Sequence, residues 1–354
     1  MRKYIHLYAL LLLCAIGASC TAQNQTEASP QQKEKPVVQS SSQTDTDPAE
    51  HDPAFVESSW ITAKHGPQSI TRNTLQDRNG TIWLSTWEGI MSYDGKEFTN
   101  WTNKEGLRRF HVFDILEDSQ GNLWFSTIGA GVYRYDSEGF TNFSTAEGLV
   151  NDRVLCFYED NSGKIWIGTE KGISVYDGRT FQNFTKEDGL IDEDVNTILQ
   201  DENGRFWIAC RGEASFYDGK SFSQITNDQG QAFTNARKLI KDSKGNIWIG
   251  GNNGLWRYDG NTYVQLSKNF VGYIYEDRAG NIWTSSQSPE DRLKWQLHRY
   301  SSTIMPFQTP SPTLIHSEEG MLFGIYEDKD SNIWFGSLAG VGRYDGVNIE
   351  RFEE

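Results

Sequence analysis

The stretch "EDNSGKIWIGTEKGISVYDG", residues 159–178, is written again and again along this chain with small changes. Its tryptophan recurs as Trp83, Trp124, Trp166, Trp207, Trp248, Trp283 and Trp334, at spacings of 41, 42, 41, 41, 35 and 51 residues. Self-similarity at this length restricts the fold severely. One such unit cannot bury its apolar side alone, so neighbouring copies must stack against one another.

Each unit reads as four short strands. The first is apolar and ends in an acid, as in "VFDILED", "VLCFYED", "VNTILQD", "ARKLIKD" and "FGIYED". A turn such as "DSQGN" or "DSKGN" follows, where Asp bonds the turn backbone and Gly takes positive φ. The second strand, "LWFST" or "IWIGT", alternates so that Trp lies on one side, facing a neighbouring unit. The third ends in Tyr-Asp-Gly at Tyr93, Tyr176, Tyr217, Tyr258 and Tyr344. That turn leads to a fourth strand such as "EFTNWT" or "TFQNFT". No amphipathic helix period occurs in the body. Seven copies of a four-stranded antiparallel unit predict an all-β, seven-bladed β-propeller over residues 53–354, closed so that no sheet edge is left for pairing. Both ends offer a fourth strand, "AFVESSW" and "VNIERF". One is expected to complete the last blade, and the other to lie outside it or add to it.

The N-terminus has the layout of a targeting segment. Arg2 and Lys3 precede an apolar run from Leu7 to Ile16, then Gly17, Ala18, Ser19 and Cys20. This is a secretory signal, too short for a membrane span. Small residues before a Cys resemble the bacterial lipobox, with Gly17 standing where an aliphatic residue is usual. The resemblance implies a lipoprotein signal peptide at 1–19 and a lipidated Cys20. Thr21 in place of Asp implies the outer membrane of a Gram-negative envelope, facing the periplasm. Residues 20–52 lack aromatic side chains and are rich in Gln, Ser, Thr and Pro. They are expected to be a disordered tether with ends roughly 30 Å apart.

A net charge of −15 disfavours nucleic acid as a partner, and the membrane is expected to be met only through the lipid. Cys156 and Cys210 show no metal or redox spacing and read as buried apolar residues, with a disulfide between them left open. The turn acids Asp118, Asp160, Asp201, Asp242, Asp277 and Asp328 are required by the repeat and read as structural. "DKDSNIW" at Asp328 lacks the glycine and distal glutamate of a calcium loop. No metal, cofactor or catalytic residue is assigned, since no nucleophile-elbow, zinc-protease or phosphate-loop motif is present.

The unit ED-x-x-G-N-I-W-x-G-T-x-x-G-I-x-x-Y-D-G resembles the two-component regulator propeller repeat over residues 60 to 354. That family fills the periplasmic sensor halves of hybrid histidine kinases, and the resemblance implies sensing or recognition without a kinase in this chain. The streptogramin lyases are similar more distantly. They use a His-centred site on one propeller face, and that motif maps to no stretch here.

Ligand specificity is sought where the repeat varies. The loop into each first strand and the loop between strands two and three share one face of a propeller, and such loops are free to specialise. They supply Trp87, His111, Arg153, Lys171, Asp194, Arg211, Asn235 and Asn253 as candidate ligand-binding residues. Blade six adds an insertion carrying Arg292 and Trp295, expected on the same face as a lid, a partner contact or a longer hairpin. The expected function is non-enzymatic recognition of a small molecule, glycan or envelope protein on that face. The alternatives are a propeller enzyme resembling the streptogramin lyases, for which His111 is the candidate, and an interaction scaffold without a pocket.

Overall fold

The computed structural model describes residues 58–302 and 311–353. The expected signal peptide, Cys20 and the tether lie outside the described residues. The strands form seven sheets, six of them four-stranded in chain order and the first with an added strand from the N-terminal side of the body. Blade one comprises Thr71–Gln76, Ile82–Thr86, Gly89–Tyr93 and Phe98–Asn100. Blades two to seven begin at Val112–Glu117, Val154–Glu159, Val195–Gln200, Ala236–Lys241, Val271–Glu276 and Phe323–Glu327. These first strands touch one another in succession, and that of blade seven touches that of blade one. The ring is closed and seven-bladed.

One side-chain bond is repeated in every blade. The indole Nε1 of Trp83, Trp124, Trp166, Trp207, Trp248, Trp283 and Trp334 donates to the Asp six residues earlier, over 2.8–3.0 Å. The other oxygen of the same Asp accepts two backbone N–H groups of the turn, as Asp242 does from Lys244 and Asn246 at 3.0 and 2.8 Å. The turn needs a left-handed residue. Six blades use Gly, and blade seven uses Ser331 at φ 66°. Burial pushes the carboxyls of Asp160 and Asp201 up, but their hydrogen bonds outweigh it and hold both below the usual carboxylate range.

The same indoles build the core. Each packs on the next blade: Trp83 with Leu123 and Phe125, Trp124 with Ile165 and Ile167, Trp166 with Phe206 and Ile208. The series continues through Trp207 with Ile247 and Ile249, Trp248 with Ile282, and Trp283 with Ile333 and Phe335. It closes with Trp334 on Ile82 and Leu84 of blade one.

A second linkage runs around the turn side. The residue before each turn Asp accepts a backbone N–H from the preceding blade: Glu117 from Arg78, Glu159 from Ser119, Gln200 from Asn161, Glu276 from Ser243, Glu327 from Arg278, and Gln76 from Lys329. Among the described residues, only the junction of blades four and five lacks this bond. Lys241 stands at that position, and an ammonium cannot accept.

The two chain ends divide the closing work. Ile349–Arg351 is the fourth strand of blade seven. Thr62–Ala63 instead adds a fifth strand outside Phe98–Asn100 of blade one. The same segment reaches blade seven through Gly66 N–H donating to the Phe352 carbonyl at 2.7 Å. A Cβ on Gly66 would meet that of Phe352 at 3.0 Å, so the approach is close. The expected strand "EFTNWT" ends early: Asn100 caps a single helical turn, Trp101–Lys104. The blade-six insertion is a longer hairpin, Ile282–Gln287 paired with Lys294–Tyr300. Cys156 and Cys210 are free and buried.

Replacing Asp242 by Ala leaves four donors on Lys244, Asn246 and Trp248 without their acceptor. We expect a loss of about 3 kcal/mol, read as a lower urea midpoint. An unchanged midpoint would show that the turn carboxylate is dispensable.

Candidate functional site

The two loop sets predicted to share a face do so through repeated bonds. In five blades the residue ahead of the first strand offers its carbonyl to a residue at the end of the second strand: Ile70 to Trp87, His111 to Ile128, Arg153 to Glu170, Asp194 to Arg211 and Phe270 to Gln287, over 2.8–3.0 Å. In blade five the link is made by side chains, Asn235 Nδ2 donating to Asn252 Oδ1 at 2.9 Å. This face lies opposite the Asp–Trp turns, because the two loop types sit at opposite ends of the strands.

The predicted residues separate into packing groups and ligand-accessible groups. His111 is 2% exposed and stacks on Trp87, with ring centroids 4.1 Å apart and planes at 11°. Trp295 is buried in the seam of blades six and seven, edge-on to Phe270 at 5.5 Å. Asn253 accepts the Thr234 N–H at 2.8 Å and fixes Trp256 through its carbonyl. Arg153 pairs with Glu170 at 2.6 Å. Lys171 and Arg292 are exposed. Arg211 and Asp194 form an ion pair at 3.2 Å, and Arg211 lines a cavity enclosed by the first strands.

That cavity, about 120 Å³, contains residues the sequence reading passed over. Every first strand carries a bulge near its start, as between Thr71 and Asn73, Ala236 and Lys238, and Val271 and Tyr273. A bulge places two consecutive residues against one partner and re-aims their side chains. Consecutive pairs therefore face the cavity: Arg72 and Asn73, Phe113 and Asp114, Arg237 and Lys238, Gly272 and Tyr273. A Cβ on Gly272 would fall 2.1 Å from the Met321 methyl and 3.0 Å from the Trp295 ring, so the glycine leaves room for both.

The cavity is rich in cations. The Arg72 guanidinium lies between the rings of Phe113 and Phe323, at 4.5 and 4.4 Å. Burial, with the charge of Arg237 adding, lowers its pKa to about 10. Arg237 is lowered too, by burial and by Arg211. Lys238 sits over the Tyr273 ring at 4.6 Å. Burial works against its charge, but Tyr273 and Asp114 outweigh this and hold it above the usual lysine range. Asp114 accepts from Asn73 Nδ2 and from the Phe157 N–H at 2.9 Å. Tyr273 donates to Asn73 Oδ1 at 2.8 Å. Burial raises the Cys156 thiol strongly, which makes it a poor nucleophile. The arrangement is suited to binding through charge and hydrogen-bond donors. Among the described residues no group of His, Cys, Asp and Glu could hold a metal ion, and no helix is long and apolar enough to cross a membrane.

Fold and site together define a closed seven-bladed propeller with a variable face opening over a cation-lined cavity. Residues 111–129, 148–171 and 189–212, in blades two, three and four, match the two-component regulator propeller family. No curated protein matches the sequence. Among solved structures it is similar to the extracellular domain assigned to the hybrid two-component system BT3049 of B. thetaiotaomicron. The TM-score is 0.66 at 24% identity, over 79% of this chain and 39% of that one. It is similar also to the virginiamycin B lyase of Staphylococcus aureus crystallised with quinupristin, with TM-score 0.61 and 13% identity over 78% and 95%. A third is PorZ, a surface component of the type-IX secretion system of Porphyromonas gingivalis, with TM-score 0.53 and 15% identity over 82% and 44%. The chain thus spans about two fifths of the length of the BT3049 extracellular domain.

The stack with Trp87 gives His111 a packing role. His111→Ala should lower unfolding free energy by about 2 kcal/mol, measured by urea titration. Unchanged stability would return His111 to the ligand-facing set.

Proposed function

We propose that this propeller is a recognition module of the cell envelope that binds a small molecule, glycan or protein segment on the face formed by the loops into strand one and between strands two and three. One observation carries this reading. The repeat uses its constant residues, Asp and Trp, at the turn side, and places its differing residues, Arg153, Lys171, Asp194, Arg211 and Arg292 among them, on the opposite face. The family resemblance to sensor propellers supports the same reading. Residues 53–354 are screened by thermal shift against glycan fragments and small metabolites, with Arg211→Ala alongside. A compound that raises the parent midpoint and not that of the variant is the expected result, because a ligand that binds only the native state must stabilise it. A face that recognises proteins alone would leave the whole library without effect.

We further propose that the body is held at the outer membrane by a lipid on Cys20, a reading supported by the signal layout before it and by the extracellular and surface roles named for BT3049 and PorZ. In cells, Cys20→Ala should move the protein from the membrane to the soluble envelope fraction. Retention in the membrane fraction would overturn the lipid anchor.

A further inference from the structure

We propose that the cavity among the first strands is an anion site, taking one oxyanion of phosphate, sulfate or carboxylate size, either free or as the acidic group of a larger ligand seated on the face above. The inference rests on the recognition reading and deepens it by naming the chemistry of the ligand.

The argument is one of unmatched charge. Arg72, Arg211, Arg237 and Lys238 all line this cavity. Two carboxylates, Asp114 and Asp194, stand against these four cations, and Asp114 acts on both Arg72 and Lys238. Asp114 is bonded to Asn73 and to the Phe157 backbone, and Asp194 is paired with Arg211. The buried Nε atoms of Arg72 and Arg237 meet no acceptor among the described residues. Buried donors of this kind are costly unless something accepts from them, and clustered cations out of bulk water repel one another strongly. A chain with a net charge of −15 has no general reason to concentrate cations at its centre. An oxyanion supplies the missing acceptors and charge together, in charge-assisted bonds stronger than neutral ones.

Size and access fit the same ligand class. The volume, about 120 Å³, holds roughly four waters at ~30 Å³ each, enough for a single carboxylate or phosphate group. Arg211 lies where the variable loops meet the cavity, so one ligand could rest on the face and direct its acid inward. Phe113 and Phe323 hold the Arg72 guanidinium edge from both sides, which fixes its fork before a ligand arrives and reduces the ordering cost.

The test uses thermal unfolding of the full folded body in chloride buffer, with sodium phosphate, sulfate or acetate added at matched ionic strength. The parent should gain about 3 °C at saturating anion. Arg237→Gln and Lys238→Met should each lose that gain, and Arg237→Gln should melt no lower than the parent without added anion, because the charge it removes is disfavoured by burial and by Arg211. Lys220→Gln, at an exposed turn on the far side, should keep the gain. Glucose 6-phosphate against glucose distinguishes a borne anion from a free one: a larger shift than inorganic phosphate assigns the ligand to the borne class, an equal shift to the free class. No gain over chloride, or equal gain in parent and Arg237→Gln, overturns the site. A neutral library compound that shifts parent and Arg237→Gln alike, with no anion effect, overturns the cavity proposal and leaves the recognition face standing. An anion effect lost in Arg237→Gln, with no library compound acting, does the reverse.

Discussion

Each blade of this protein is organised by a carboxylate that binds two things at once. One oxygen gathers the N–H groups of its own tight turn, and the other takes the indole N–H of a tryptophan whose ring is buried against the next blade. A local turn and a long-range packing contact are thereby fixed by the same side chain. Burying an indole without a partner for its N–H is unfavourable, so the tryptophan can serve as the inter-blade wedge only where the turn is correctly formed. This coupling is repeated seven times, the closure of the ring included. Trp334 treats blade one as every other indole treats its neighbour.

Concentrating the constant chemistry at one side leaves the other free to differ. The backbone links between the loop into strand one and the loop after strand two hold the variable face in shape with main-chain groups, so side chains there can change without loss of the fold. The inner bulges extend this freedom into the cavity, since they turn two neighbouring residues of each first strand toward it.

Much of the architecture was legible in the sequence because its signals are local and repeated. The Trp period, the Tyr-Asp-Gly turns and the apolar first strands each report short-range structure. The roles of the two ends were not legible, since "AFVESSW" and "VNIERF" have equal strand character, and the structure puts the added strand just after the first of them, at Thr62–Ala63, and the fourth strand of blade seven at Ile349–Arg351. The candidate site was read in part. Asp194 and Arg211 were found by their loop position. Arg72, Arg237, Lys238 and Tyr273 were missed because strand alternation assigns neighbours to opposite sides, and a bulge breaks that rule without leaving a distinctive residue. The pairing "RK" within "ARKLIKD" was the available signal: two cations at the start of an inner strand. His111 and Trp295 were picked for polarity and aromaticity, and the structure uses both in packing.

The missing belt bond at Lys241 sets the seam of blades four and five apart. Its cavity side is joined by Asn196 Nδ2 and Thr197 Oγ1 donating to the carbonyls of Ala236 and Arg237, at 2.9 and 3.0 Å, while its turn side is held by the Trp207 packing and by Tyr263 N–H donating to Asp228 Oδ2 at 3.0 Å. The seam that places Arg237 and Lys238 in the cavity is thus held at both rims by side chains of blade four, whereas at its six counterparts the turn rim is held by a main-chain N–H of the preceding blade.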